Sequence, residues 1–237
     1  MMRTGFTKSL FLLLPLLASS PAWAEHSDGH SGKPPVHLGI LARMDAKPVK
    51  KTDVQGFVAS ALPLAQAEPA TLQWFGLKFS DNTYGIFDSF TDDAGRDAHL
   101  NGKIAAALMA KSGELLASPP QLDKAEVLAS DIKASAAKSS PKVGIVALME
   151  AKPGKEKDVE KFLLGAVHLV KKESKTLHWY AVRLSPAKYG IFDTFADDSG
   201  RDAHLHGKVA GALLASAAEL FAKAPTIEKV ELLAAKP

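Results

Sequence analysis

Hydrophobic residues follow two periods along this chain, and each period predicts a different element. In HLGILARMDAK, residues 37–47, apolar side chains alternate with others, as is typical of a β-strand. The stretch after it carries apolar residues at helical spacing, namely Val54, Phe57, Val58, Ala61 and Ala65. A second strand (TLQWFGLKF), a third strand from Tyr84 to Phe90, a helix that continues to about Ala117 and a final strand (KAEVLAS) follow. This β-α-β-β-α-β order predicts a ferredoxin-like α+β unit with both helices on one face of the sheet.

The whole pattern occurs twice, with a period of 105 residues that places Gly39 in register with Gly144. The segments YGIFDSFTDDAGRDAHLNGK, residues 84–103, and YGIFDTFADDSGRDAHLHGK, residues 189–208, are identical at 16 of 20 positions. We therefore predict two units, 36–133 and 143–237, joined by a short flexible linker, ASAAKSSPK, over 134–142.

Both faces of the first strand are apolar, so both must be buried against other parts of the protein. Val36, Leu38, Ile40, Ala42 and Met44 belong to one face, and Leu41 to the other. The duplicate unit can supply the missing cover if its sheet folds back on the first sheet. The sequence thus predicts an intramolecular pseudo-dimer, an α+β barrel built from one chain. Whether such barrels associate further is left open by the sequence.

Acidic, guanidinium and imidazole groups gather where the third strand of each unit meets its second helix. In the first unit, Asp93 is the expected helix cap, and Arg96, Asp97, His99 and Lys103 follow it within the first turns. Such a cluster can perform acid–base chemistry, or it can cap the helix and pair across the turn. Both interpretations stay open for this corner.

The N-terminal segment predicts export. Arg3 and Lys8 precede the apolar run LFLLLPLLA, and Ala22-Trp23-Ala24 forms a cleavage site, so residues 1–24 are expected to be a signal peptide that is cleaved after Ala24. No later stretch is apolar for long enough to span a bilayer, so we expect a periplasmic or secreted protein without membrane insertion. Residues 25–35 are a polar, disordered lead-in; its histidines make Cu(II) or Ni(II) binding an alternative to a solvated tail.

Charge and cysteine content exclude several functions. Loss of the signal peptide lowers the formal charge from +3 to +1, and the lysines form no dense stripe with aromatic residues, which argues against nucleic acid as a partner. The chain contains no cysteine, so disulfides, a thiol nucleophile and a thiolate metal site are excluded. We expect no metal centre among the site residues.

Nearly all of both units resembles one protein family, and the second unit shows the resemblance well. The segment KPGKEKDVEKFLLGAVHLVKKESKTLHWYAVRL, the strand that ends in Asp193-Thr194-Phe195 and the helix that contains DAHL resemble the antibiotic biosynthesis monooxygenase (ABM) domain of the dimeric α+β barrel superfamily. The resemblance implies a pocket between sheet and helices and the oxygenation of quinols or polycyclic phenols without a cofactor. The haem-degrading members carry a tryptophan where this chain has Phe90 and Phe195, which argues against haem.

The resemblance and the chemistry of the corner give candidate roles. We expect His99 and His204 to be catalytic bases oriented by Asp88 and Asp193, with Lys103 and Lys208 lowering the histidine pKa by charge repulsion. The other candidates are residues that can contact a substrate: Arg96, Arg201, Trp74, Trp179, Phe90, Phe195, Tyr180 and His206. The aromatic members can equally be core residues. If a single site is active, the histidine-richer second unit around His204 and His206 is the candidate.

Three functions follow from these features. The first is a cofactor-independent monooxygenase, an oxidoreductase that acts on a small aromatic or quinol-type molecule. The second is a non-catalytic periplasmic barrel that binds a small ligand or serves in a stress response. The third is a structural or interaction protein in which the corner serves folding alone.

Overall fold

The computed structural model describes Met1 and residues 35–237. The predicted signal peptide beyond Met1, nearly all of the predicted lead-in, and His26 and His30 lie outside the described residues. The described fold begins with a strand at Leu38 and ends with a strand at Lys236.

Each repeat supplies four strands in the predicted order. In the first repeat they are β1 Leu38–Asp45, β2 Gln73–Lys78, β3 Thr83–Phe90 and β4 Gln121–Ile132. In the second repeat they are β5 Val143–Glu150, β6 Thr176–Arg183, β7 Lys188–Phe195 and β8 Thr226–Lys236.

The helices lie between these strands, with one difference between the repeats. The first repeat has α1 Lys51–Ser60, α2 Leu62–Gln66, α3 Asp93–Leu100 and α4 Lys103–Leu115; the second has α5 Glu156–Val170, α6 Asp198–Leu205 and α7 Lys208–Leu220. Pro63, at the start of α2, lacks the N–H that a continuous helix needs, so the first helix is divided there. Its counterpart His168 lies within the unbroken α5.

The eight strands close into one antiparallel barrel, in the order β1-β3-β2-β8-β5-β7-β6-β4. Each repeat contributes four adjacent strands, and the repeats meet at two junctions, β2 with β8 and β4 with β6. The predicted α+β class, with two ferredoxin-like units that form an intramolecular barrel, is confirmed. Over the predicted linker, Ala134–Lys138 forms a 3-10 helix, and its Ala136 is buried.

Hydrophobic side chains from both repeats fill the barrel interior. Phe75 and Phe87 from the first repeat pack against Phe192 from the second, with ring centroids 5.3 and 4.4 Å away. Leu41 lies in this cluster, as the alternation along β1 predicts. Neither repeat can bury this face by itself, so the hydrophobic effect holds the two halves together.

The opposite face of each half-sheet packs on its own helices. In the first repeat, Ala42 and Met44 of β1 meet Val54 and Val58 of α1 in one buried cluster. The second repeat forms the equivalent cluster around Val159 and Leu163 of α5. The candidate site lies on this helix-covered face.

Within residues 35–237, no helix is both long enough and apolar enough to cross a membrane.

Candidate functional site

A histidine held between two carboxylates forms the centre of the first repeat's site. His99, on α3, has its Nε2 atom 3.1 Å from Oδ2 of Asp88 on β3 and its Nδ1 atom 2.7 Å from Oε2 of Glu68. Thr71 donates its hydroxyl to the same Glu68 oxygen at 3.0 Å. The side chains of Asp88 and His99 are only 1% and 7% exposed, so the cluster is nearly free of solvent screening.

The second repeat builds the same cluster. The Nε2 atom of His204 lies 3.2 Å from Oδ2 of Asp193, and its Nδ1 atom lies 2.6 Å from Oε2 of Glu173. Thr176 donates to Glu173 at 2.8 Å. The duplication has therefore preserved a four-residue arrangement as well as the DAH sequence.

The geometry indicates that both histidines are imidazolium ions. A neutral imidazole has one N–H, but each ring here faces a carboxylate oxygen with both nitrogens, and only the cation can donate from both. Burial alone lowers the pKa of His99, but the hydrogen bonds and charges of Asp88 and Glu68 outweigh it and raise the pKa to about 9. The same balance, with Asp193 and Glu173 as partners, raises the pKa of His204 to about 10.

This direction is the opposite of the sequence-based expectation. Lys103 and Lys208 were expected to lower the histidine pKa, but both are exposed to solvent, which screens their charges. The carboxylates in direct contact determine the pKa instead. The expectation of a lowered histidine pKa is therefore wrong.

Asp88 is the most enclosed acid of the site. In the antiparallel ladder it faces Ile40 on one side and the buried Trp74 on the other, so their side chains share its face of the sheet. Burial raises the pKa of Asp88, and the contact with His99 and a hydrogen bond from the backbone N–H of Ile40 oppose that rise. Its second oxygen, Oδ1, is buried and has no hydrogen-bond partner within the described residues.

A cavity of about 100 Å³ adjoins Asp88 and His99. Its other lining residues are apolar and come from β1, β3, α3, α4 and the start of β4: Ile40, Ala42, Ile86, Leu100, Ile104, Ala105, Leu108, Met109 and Leu122. Met109 and Leu122 are 57% and 48% exposed, so they mark the side of the cavity that faces solvent. The arrangement is an apolar pocket with one carboxylate and one imidazolium in its wall.

The two arginines that were expected to contact a substrate form contacts within the protein. Arg96 pairs with Asp93 at 2.5 Å and donates to the carbonyl of Ala125 at 3.5 Å. Arg201 pairs with Asp198 and donates to the carbonyl of Val230 at 3.1 Å. Arg96 lines an open surface groove and does not line the cavity at His99. The structure therefore ties α3 and α6 to the last strands through these side chains.

The predicted aromatic residues lie in three different environments. Trp74 and Trp179 are buried in the sheet–helix cores, each across the ladder from the site aspartate of its repeat. Phe90 and Phe195 pack against the site histidines, with centroids 5.4 Å apart in both repeats. Tyr180 points into the barrel interior, where its hydroxyl donates to Gln73 at 3.2 Å. Because side chains alternate along β6, Tyr180 lies on the face opposite to His204.

His206 does not join His204. It is exposed and contacts the backbone carbonyl of Asp202 in its own helix at 2.8 Å. The two histidines are two positions apart in sequence, so they point to different sides of the helix end.

The helix cap of the corner is one residue earlier than expected. Asp92, not Asp93, accepts the hydrogen bond from the N–H of Gly95 at 2.8 Å, and Asp197 caps α6 in the same way. Asp93 takes the first helical position and pairs with Arg96. The corner thus has both a capping part and a buried ionic part, on different residues.

Glu68 and Glu173 are the site residues that the sequence analysis missed. A signal was present, because between the first helix and the second strand, QAEPATL and KKESKTL agree only at Glu, Thr and Leu. The matched Glu and Thr are the two residues that bind the histidine. The spacing of Glu and Thr matches no known motif. The pattern therefore showed that both repeats keep these residues, but it did not show what they do.

Gly102 shows how closely the site is packed. The helix predicted to run unbroken to Ala117 is interrupted at Asn101 and Gly102. A Cβ atom on Gly102 would lie 2.7 Å from Oε1 of Glu68, and one on Gly207 would lie 2.9 Å from Oε1 of Glu173. Glycine therefore allows each site glutamate to approach the start of the following helix.

We expect Gly102→Ala to lower the free energy of unfolding by about 1 to 3 kcal/mol, because the new methyl group displaces Glu68 from His99. Gly113→Ala is the matched control on the same helix, since nothing lies within 4 Å of its Cβ position. The control should gain roughly 0.5 to 1 kcal/mol from its higher helix propensity. Urea titration measures both, and equal stability of the two variants would contradict the close packing.

The described residues were also considered as metal ligands. Among the residues that the structure describes, no group of three His, Asp or Glu side chains is arranged to hold a metal ion. In each Glu-His-Asp cluster the carboxylates face the site histidine.

Comparison with solved structures identifies proteins that have a similar fold. A candidate monooxygenase from Fusobacterium nucleatum is similar to this chain with a TM-score of 0.73 at 14% identity, over 85% of this chain and 94% of the other. A candidate monooxygenase from Lactobacillus acidophilus gives 0.70 at 10% identity, over 85% and 96%. A Nitrosomonas europaea protein of unknown function is 52% identical over 42% of this chain and 96% of its own, with a TM-score of 0.41. No protein-family model and no curated protein sequence matches the chain.

The fold and the paired sites define a class: a tandem α+β barrel that carries one buried Glu-His-Asp triad in each repeat. The chain has the same fold as these two candidate monooxygenase structures, here closed into one barrel by two ferredoxin-like repeats of a single chain. The recognition made from the sequence is confirmed at the level of the fold.

Proposed function

We propose that this protein binds a small aromatic or quinol-type molecule in the cavity of the first repeat and oxygenates it with O₂, without a cofactor. The observation that carries the proposal is Oδ1 of Asp88, a buried carboxylate oxygen in the wall of an apolar cavity that has no donor within the described residues. A phenolic hydroxyl supplies such a donor, and its ring suits the apolar lining.

In this proposal Asp88, rather than His99, is the general base. An imidazolium ion has no free lone pair to accept a proton, whereas the raised pKa of Asp88 makes its carboxylate a stronger base than an exposed one. Asp88 takes the hydroxyl proton, and the aryloxide then reduces O₂. One oxygen atom joins a ring carbon as a carbonyl and the other leaves as water, so a phenol and O₂ give a quinone and water.

The size of the cavity favours one aromatic ring. A cavity of about 150 Å³ is known to hold benzene, and this one measures about 100 Å³. Entry of a single ring therefore requires Met109 and Leu122 to move, which their exposure permits. A polycyclic phenol would require the helices to separate from the sheet.

The second candidate is a non-catalytic barrel that binds a small ligand or serves in a stress response. Its support is that both nitrogens of each site histidine already lie within 3.2 Å of a carboxylate oxygen. Such a triad stabilises a pocket without needing to turn over a substrate. For either candidate we propose export to the periplasm or medium, on the signal-peptide pattern of residues 1–24.

We expect single-ring hydroquinones to bind saturably and to cause O₂ uptake, and Met109→Trp to weaken binding at least tenfold by filling the cavity. Leu214→Trp is the matched control, because Leu214 is the counterpart of Met109 in the second repeat and is also 57% exposed. Isothermal titration and an oxygen electrode give the two readouts.

The outcomes separate the candidates. Binding with uptake that Asp88→Asn abolishes supports the oxygenase. Binding without uptake favours the ligand-binding barrel. Absence of binding by the wild-type protein overturns both and leaves a structural role for the corner.

A further inference from the structure

A lysine from the second repeat binds the loop that carries the first repeat's site glutamate. The Nζ atom of Lys236, at the end of β8, donates to the carbonyl oxygens of Ala65, Glu68 and Thr71 at 3.0, 2.8 and 2.6 Å. An ammonium group has three N–H donors, so these three carbonyls saturate it. Lys236 reaches them across the junction between the repeats, where it faces Trp74 in the β2–β8 ladder.

The bound loop is the one that completes the ion triad. Residues 67–72 between α2 and β2 have no regular helix or strand structure, yet they provide both the Glu68 carboxylate and the Thr71 hydroxyl to His99. The backbone N–H groups of Ala67, Glu68, Thr71 and Leu72 form turn and strand-end hydrogen bonds, and the ammonium group of Lys236 adds contacts to the carbonyls. Lys236 supplies three, two of them to the residues whose side chains contact the histidine.

The second repeat has the reciprocal contact. Lys133, directly after β4 of the first repeat, donates to the carbonyl oxygens of Val170 and Lys171 at 3.3 and 3.0 Å. These carbonyls come just before Glu173, and Val170 is the counterpart of Ala65. Lys133 therefore holds the C-terminal end of α5, where the loop that carries Glu173 begins, and Lys236 holds the loop that carries Glu68.

The duplication does not account for this recurrence. The counterpart of Lys236 in the first repeat is Asp131, which pairs with Lys133 at 2.6 Å. The two lysines thus occupy different positions of the repeat and reach equivalent loops. A contact that recurs from non-equivalent positions indicates a shared requirement of the two sites rather than a copied sequence.

We propose that Lys236 and Lys133 are positioning residues, each of which sets the site glutamate of the opposite repeat, so that both Glu-His-Asp sites are completed only across the junctions. Its consequence for ligand binding rests on the proposed function. The positioning itself does not, because it concerns the contact of Glu68 with His99 and of Glu173 with His204.

The test is an NMR titration of His99 and His204 in the full protein, with resonances assigned through His99→Gln and His204→Gln. In Lys236→Met we expect the pKa of His99 to fall by about one unit, since Glu68 is no longer held against it, while that of His204 stays unchanged. Lys133→Met should lower the pKa of His204 and leave that of His99 unchanged. Lys236→Gln, which keeps a donor, should give a smaller shift and serves if Lys236→Met does not fold.

Each lysine variant is expected to shift the pKa of one histidine only, that of the opposite repeat. This selectivity distinguishes positioning from general destabilisation. An unchanged His99 titration in a folded Lys236 variant overturns the proposal, and so do equal shifts at both histidines. The titration needs no ligand. If hydroquinones do not bind, the proposed function is contradicted, but the result of the titration still stands. If the pKa of His99 shifts while the affinity for hydroquinone stays the same, the positioning role is supported. The triad then takes no part in ligand binding.

Discussion

Replacing His99 by alanine is expected to cost about 3 to 5 kcal/mol of unfolding free energy at pH 7, because it leaves two carboxylates without their cation. Asp88 is 1% exposed and cannot regain hydration. If it takes up a proton instead, its pKa has to rise further above the usual range, and each unit of that rise costs about 1.4 kcal/mol. Both routes give a similar loss, which urea denaturation measures.

His206→Ala is the control for this prediction. His206 lies two residues from the equivalent His204, but it is exposed and contacts the carbonyl of Asp202 in its own helix. We expect its removal to cost less than about 0.5 kcal/mol. The His99→Ala variant should also become relatively more stable as the pH falls and Asp88 protonates. A loss below about 1 kcal/mol would contradict the charged triad.

The wild-type protein is expected to lose roughly 6 kcal/mol of stability between pH 7 and pH 10.5, as the two site histidines lose their protons. The folded pKa values of about 9 for His99 and about 10 for His204 exceed the usual 6.5. Folding therefore binds protons, and this stabilisation is complete below pH 6.5 and is lost as the pH rises through the folded values. Each shifted unit is worth about 1.4 kcal/mol. The raised pKa values of Asp88 and Asp193 do not oppose this loss, because those carboxyls also bind protons more tightly in the folded state.

The control is the double variant His99→Gln, His204→Gln, compared with wild type by denaturation at pH 6, 8 and 10. Lysines and tyrosines titrate in both proteins, so the difference between the two curves isolates the histidines. We expect that difference to shrink steadily above pH 7. Parallel curves over the whole range would show that the histidines are not charged in the folded protein.

Much of the site could be predicted because its strand and helix are local features. The alternation along β3 and the DAH sequence after it placed Asp88 and His99 at one corner, and the structure brings these two side chains together. The roles of Arg96 and Tyr180 could not be predicted in this way. Whether Arg96 points to the cavity or to Ala125, and which face Tyr180 takes, depends on register and on how the sheet closes.

The sequence by itself determined the duplication, the order of strands and helices, and the need for the second sheet to cover the first. These follow from periodicity and repetition, which are properties of neighbouring residues. Only the tertiary structure decided the charge of the histidines and the partners that set it. Glu68 lies 31 residues from His99, and Lys236 lies 168 residues from Glu68. Closure of the barrel brings them together, and desolvation then makes each contact strong enough to determine a pKa.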